Sequence, residues 1–204
     1  MAVSRGRFIQ GVAIFIIVAS TAIAAWLHFG PASGSGGGIP AITVGGPFEL
    51  VNHNGGTVTD ADFRGKFMLI FFGYTYCPDV CPTGLGIMAE ALDILGPGAG
   101  KVVPIFISID PKRDTPERLK EFVTNFHPRL VGLTGSPAQV SAVANAYRVF
   151  FAKVNPKEGE DPDNYAMAHA NFTFLMGPDG ENRTIFNGGT SPQEMAKRIK
   201  KFIY

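Results

Sequence analysis

Charge is scarce in this chain: Asp, Glu, Lys and Arg make up 17% of its 204 residues, against the roughly 25% of an average soluble domain. Part of it is therefore built for something other than water. What charge there is nearly cancels, at a formal net +1, which excludes a polyelectrolyte partner such as nucleic acid. Cysteine is scarcer still, with two residues, too few for a disulfide scaffold. The pair is either incidental or central. Length excludes two full-sized domains sharing a cleft, so one domain and one active site are expected, with room for an appendage.

The apolar residues are unevenly spread. Residues 8–48 contain no Asp, Glu, Lys or Arg, and residues 8–27 read FIQGVAIFIIVASTAIAAWL. Twenty helical residues reach about 30 Å, the thickness of a bilayer's hydrocarbon core. Arg5 and Arg7 precede this run and no charge follows it closely, so the positive-inside rule keeps residues 1–7 in the cytoplasm and sends the rest across. Residues 8–28 are read as a single transmembrane anchor with Trp26 at its far interface. Ala22-Ile23-Ala24 also offers a signal-peptidase site, but the apolar run is longer than the 7–15 residues that a signal peptide needs. On either reading the following domain is exported, and with Arg5 and Arg7 set aside it carries about one net negative charge.

Residues 29–38, Gly- and Ser-rich, form a flexible linker, and residues 39–204 one domain. Residues 46–58 predict a hairpin turned at Asn54-Gly55-Gly56. The apolar runs at 67–73 (FMLIFFG) and 102–109 (VVPIFISI) predict buried strands. A helix between them, from Cys81 or Pro82 to just before Gly96, completes a parallel βαβ unit. Asp114, Ser136 and Ser191 each stand three positions before Glu or Gln with Pro in the first turn, which predicts three more helices. Residues 171–176 and 183–186, split by Gly177-Pro178-Asp179-Gly180, predict a second hairpin. The summed order is the plan of an α/β thioredoxin-like fold with an N-terminal β-hairpin extension and an extra helix.

Both cysteines lie in Tyr76-Cys77-Pro78-Asp79-Val80-Cys81-Pro82, after a buried strand and at a helix start, where N–H groups and the helix dipole are expected to lower a thiol pKa. A C-x3-C spacing with a roughly helical turn puts both sulfurs on one face. They are placed to share a metal or to close a disulfide. Two thiolates are soft donors suited to Cu(I), zinc or iron–sulfur chemistry, but too few for structural zinc or a cluster. A third ligand is needed. His28, His53 and His127 read as surface or capping residues. His169, in Met167-Ala168-His169-Ala170 at the mouth of the late strand, is the candidate, because in a thioredoxin-like topology that loop faces the cysteine-bearing helix. Asp79, between the cysteines, is either a nearby charge or a solvent-facing residue.

The runs Phe71-Phe72-Gly73-Tyr74-Thr75-Tyr76-Cys77-Pro78-Asp79-Val80-Cys81-Pro82, Ile105-Phe106-Ile107-Ser108-Ile109-Asp110-Pro111-Lys112-Arg113-Asp114-Thr115, Leu130-Val131-Gly132-Leu133-Thr134-Gly135 and Ala146-Tyr147-Arg148-Val149 closely resemble the Sco/SenC family. The resemblance runs from about Pro47 to the C-terminus and extends to the N-terminal anchor. It implies a membrane-tethered copper protein of cytochrome c oxidase assembly, with Cys77, Cys81 and His169 as ligands of Cu(I) and of Cu(II). The implied partners are the copper-site subunit of the oxidase, a copper donor and a thiol–disulfide reductant. The implied place is a bacterial periplasm. Two departures stand out: Ala168 replaces the acidic residue usual before the ligand histidine, and Ala170 replaces a hydroxyl residue.

Two functions compete for these residues. In the first, a metallochaperone, the reduced cysteines and a neutral His169 carry copper and pass it on by ligand exchange. In the second, a thiol–disulfide oxidoreductase, Cys77 and Cys81 form a redox pair that reduces the acceptor's cysteines. The C-x3-C spacing and the lack of a proline directly before Asn171 weigh against the exchanger. Thr75, two residues before Cys77, lacks the spacing of a peroxidase.

Overall fold

The computed structural model describes residue 20 and residues 43–154, 156, 161 and 163–204. The chain divides into two units, Met1–Ile42 and Thr43–Tyr204, of which the second is the folded domain. The expected anchor apart from residue 20, the expected linker and His28 fall outside the described residues, among which no helix is long and apolar enough to cross a membrane.

Strands β1 (Glu49–Asn52) and β2 (Thr57–Thr59) form the expected N-terminal hairpin. Of its three turn residues only Gly55 takes a positive φ, +85°. The Asn52 side chain shapes the rest of the turn, its Oδ1 accepting from the N–H groups of Asn54 and Gly56 at 2.9 and 3.2 Å. β3 (Phe67–Gly73) is buried along its whole length, as its continuous apolar run requires. Helix α1 (Val80–Leu95) and strand β4 (Val102–Ser108) complete the βαβ unit, and β4 lies parallel to β3 from Phe67↔Val102 to Gly73↔Ser108.

The remaining helices are α2 (Pro116–Thr124), α3 (Pro137–Ala146) and α4 (Pro192–Ile203). Ser136 and Ser191 cap α3 and α4 as expected, accepting from the N–H groups of Gln139 and Glu194. At α2 the cap is Thr115, accepting from the Arg118 N–H, and not Asp114. Two adjacent residues could each have capped that helix, which frees Asp114 for a task in the interior.

Three further elements escape the pattern. β5 (Val131–Thr134) runs parallel to β4 on one side and antiparallel to β1 on the other. It has four residues and a central Gly132, so only its neighbours make it a strand. β6 (Phe151–Val154) and β7 (Ala166–His169) pair antiparallel as a separate two-stranded sheet. The late hairpin, β8 (Phe172–Met176) and β9 (Asn182–Asn187), is as expected, with β8 antiparallel to β3. The main sheet thus has the order β2-β1-β5-β4-β3-β8-β9, with the N-terminal hairpin added beyond β5.

Alternation along β3 assigns the two faces of the sheet. Phe71 stacks near Phe106, which meets Phe122 of α2, while Phe72 turns the other way against Tyr147 and Phe174. β3 and β4 end side by side at Gly73 and Ser108, and the loop carrying the cysteines leaves the sheet there.

Candidate metal centre

Cys77 and Cys81 are free thiols, both buried, and one ligand atom from each, together with one from His169, lie within 4.8 Å of one another. The three residues chosen from sequence are the three that the fold assembles. Cys81 is the second residue of α1 and fully buried; Cys77 precedes the helix, its N–H donating to the Tyr74 carbonyl at 3.2 Å. His169 ends β7 opposite Phe151 and leads through two residues into β8.

The imidazole is oriented by the backbone. Its Nδ1 lies 3.1 Å from the Ala170 carbonyl oxygen. A carbonyl only accepts, so Nδ1 carries the proton and Nε2 keeps its lone pair. Nε2 is 3.5 Å from the Cys81 sulfur, the lone pair accepting from the thiol. The rings of Phe71 and Tyr74 meet the imidazole edge-on, at 6.4 and 6.0 Å between centroids. The Ala170 carbonyl thus fixes the tautomer and orientation of the ring, a task that a carboxylate side chain performs at other metal sites. Ala168 is exposed, paired with Ala152 across the hairpin, and its side chain takes no part.

Thiol acidity departs from expectation. A helix N-terminus favours a thiolate, but burial pushes the Cys81 thiol well up, against the smaller opposing effect of a hydrogen bond from the Tyr74 backbone. Desolvation outweighs the dipole because Cys81 sits inside the first turn rather than in front of it. Burial also lowers the pKa of His169 below its ordinary value, partly offset by the Ala170 carbonyl, so this imidazole stays neutral through the physiological range.

The other candidates have structural work. His53 Nδ1 accepts from the Gly132 N–H at 2.9 Å, locking the first hairpin to β5, and His127 Nδ1 accepts from the Arg129 N–H at 3.1 Å. Asp79 occupies the N-cap position of α1, exposed and without a side-chain cap bond. Thr75 donates its hydroxyl to Asp114 at 2.6 Å, which consumes it structurally.

Sequence reasoning missed the support beneath the ligands. Asp114 is fully buried and accepts from the Thr75 N–H at 3.0 Å and from the Ser108 hydroxyl at 2.6 Å, as well as from the Thr75 hydroxyl. It pins the cysteine loop to the end of β4. The available signal was the doubled cap, Asp114 beside Thr115. Gly73 is the second such residue: a Cβ there would lie 2.6 Å from the Cys81 sulfur and 2.9 Å from a Phe106 ring carbon. Gly73→Ala is therefore expected to displace Cys81, weakening metal binding and costing about 1–3 kcal/mol of stability. Chelator competition and denaturant unfolding on the same variant check both effects.

Two thiols and a tautomer-fixed imidazole on a thioredoxin-like domain define a Cys2His metal-binding protein of the thioredoxin-like class. The family model SCO1/SenC matches residues 37–204. A SCO2-like protein of Rickettsia felis is 42% identical over 160 residues, covering 78% of this chain and 77% of the relative. The mitochondrial SCO1 homologue of Homo sapiens is 41% identical over 158 residues, covering 76% of this chain and 52% of that protein. Among solved structures, Bradyrhizobium japonicum ScoI with copper bound is similar at 46% identity and a TM-score of 0.70, covering 78% of this chain and 99% of that one. Yeast Sco1 with copper bound is similar at 35% identity and a TM-score of 0.71, covering 79% and 88%. This chain belongs to the SCO1/SenC family.

Proposed function

We propose that this protein is a membrane-anchored copper carrier that delivers copper to the dinuclear copper site of cytochrome c oxidase during its assembly. Cys77, Cys81 and His169 hold the ion, as Cu(I) and also as Cu(II). The observation that carries the reading is the convergence of these three donor groups within 4.8 Å, with the Nε2 lone pair of the histidine directed at the Cys81 sulfur. Two sulfurs and one nitrogen form a soft donor set that favours copper over hard cations. The copper-bound relatives support the same cargo. A three-coordinate site suits transfer, because an incoming acceptor thiolate joins before a donor ligand leaves. The apolar segment at residues 8–28 anchors the domain with its N-terminus in the cytoplasm and the domain in the periplasm. Confinement near a membrane-bound acceptor raises effective concentration.

Thiol–disulfide exchange is the second reading, favoured by two free thiols close together. A member of the family has been described with a disulfide switch, at 26% identity to this chain. In exchange, one thiolate attacks an acceptor disulfide, the second resolves the mixed disulfide, and the acceptor leaves as a dithiol. The raised pKa of Cys81 makes it a poor attacking group. Copper delivery accounts for all three residues, exchange for two.

Titrating the reduced protein with Cu(I) against a competing chelator tests the assignment. His169→Ala is expected to lose at least about tenfold in affinity, since even the groups that merely orient a ligand cost that much, while Cys77 and Cys81 still form a disulfide. Unchanged affinity in the variant overturns the three-ligand site. Parent protein that binds no copper yet reduces an acceptor disulfide makes exchange the function.

A further inference from the structure

The histidine ligand is not held by the main sheet. Among the described residues β7, which ends at His169, pairs only with β6, in a separate two-stranded sheet, and such a hairpin is marginally stable on its own. Backbone pairing in the main sheet fixes Phe172, three residues on, but not the direction in which the hairpin carries His169 towards Cys77 and Cys81. Something else must dock the hairpin.

Phe151 and Met167 pack against the main core, and Arg113 adds a polar contact that reaches both the hairpin and the cysteine loop. Its side chain is 11% exposed, and it touches three segments at once. On its own loop, Nε donates to the Asp110 carboxylate. Towards the hairpin, Nη1 donates to the Tyr165 carbonyl at 2.9 Å and the Asp163 carbonyl at 3.3 Å. The guanidinium also stacks 3.6 Å from the centroid of the Tyr165 ring. Towards the cysteine loop it faces the rings of Tyr76 at 4.7 Å and Tyr74 at 5.7 Å. Tyr165 closes the circuit, its hydroxyl donating to Asp110 at 2.8 Å. It stands four residues before His169.

Nη2 is buried and, among the described residues, has no hydrogen-bond partner. Hydrogen bonds through Nε and Nη1 hold two of the guanidinium's three nitrogens, and aromatic contacts supplement them. Here three tyrosine rings surround it, and a desolvated guanidinium over aromatic faces is attracted by their quadrupoles.

We propose that Arg113 is a positioning residue for the metal centre. It latches the β6–β7 hairpin onto the cysteine loop and so sets His169 over Cys77 and Cys81. This rests on the copper-ligand reading, and the test separates the two. Arg113→Gln and His169→Ala are made singly and together in the full chain. Cu(I) affinity is measured by chelator competition, and amide hydrogen exchange is followed in the copper-free protein.

Arg113→Gln is expected to lower Cu(I) affinity about tenfold or more and to add nothing in the His169→Ala background, since both remove the same ligand. Without copper, the amides of β6 and β7 exchange faster while those of β3 and β4 do not. Arg113→Lys fails to rescue, because an ammonium lacks the planar fork and the stacking. An equal affinity loss in both backgrounds, unchanged exchange in the hairpin, or full rescue by lysine overturns the latch. If Arg113→Gln does not fold, Tyr165→Leu removes the stacked ring and the Asp110 bond, with the same expected outcomes. If His169→Ala alone leaves affinity unchanged, the ligand reading fails, and the hydrogen exchange still decides the latch.

Discussion

Replacing Cys77 and Cys81 together with serine is expected to abolish copper binding and leave a folded domain. Serine hydroxyls are neutral and hard, so they offer a soft monovalent cation neither charge nor polarisable lone pairs. Folding survives because serine is close to cysteine in volume and opens no large cavity. A hydroxyl at position 81 finds the Nε2 of His169, which lies 3.5 Å from the sulfur it replaces, and so is not left unsatisfied.

The parent protein supplies the control through pH. Burial holds Cys81 protonated well above the ordinary thiol value of 9.0, so capturing copper near neutrality must expel its proton. Affinity then climbs about tenfold per pH unit from this group alone. His169, its pKa lowered by burial from 6.5, competes for protons only below that value and steepens the loss in acid. Chelator competition between pH 6 and 8 should show the rise in the parent. Binding within tenfold of the parent in the double variant refutes the cysteine ligands.

The largest stability effect is expected from Asp114→Ala. Three donors converge on this carboxylate, from Thr75 twice and Ser108 once, in a fully buried setting. Alanine orphans all of them. An unsatisfied buried donor costs about 1–3 kcal/mol, and with water able to reach some of the cavity the sum is about 3–5 kcal/mol. Denaturant midpoints measure this directly, and a loss below about 1 kcal/mol would show that the cysteine loop does not depend on this anchor.

The pH dependence carries the opposite sign to that of a surface carboxylate. Burial raises the Asp114 pKa above 3.8 despite the hydrogen bonds from Ser108 and Thr75. The folded state therefore binds its proton more tightly than the unfolded chain. The stability from Asp114 is fullest below the unfolded value and declines as pH rises through the folded one. The gap between parent and variant should narrow from pH 4 to 7.

The sequence by itself determined the composition of the site and most of its scaffold. C-x3-C at a strand-to-helix junction, one histidine before an apolar strand, and two continuous apolar runs sufficed, because soft-metal chemistry and double-sided burial leave few alternatives for such residues. The serine caps of α3 and α4 were equally legible, since capping is local. What escaped were features whose cause lies far along the chain. β5 is a strand because β4 and β1 flank it, and β6 and β7 owe their pairing to each other. The acidity of Cys81 could not be read locally either: its helix position argued for a lowered pKa, and the protein packed around it reversed the sign. Only the tertiary structure decided that Asp114 abandons its helix cap to anchor Thr75, that the Ala170 carbonyl orients His169, and that Arg113 bridges the two ligand-bearing segments. Each of these depends on groups brought together in space, and residue type and spacing along the chain carry no record of them.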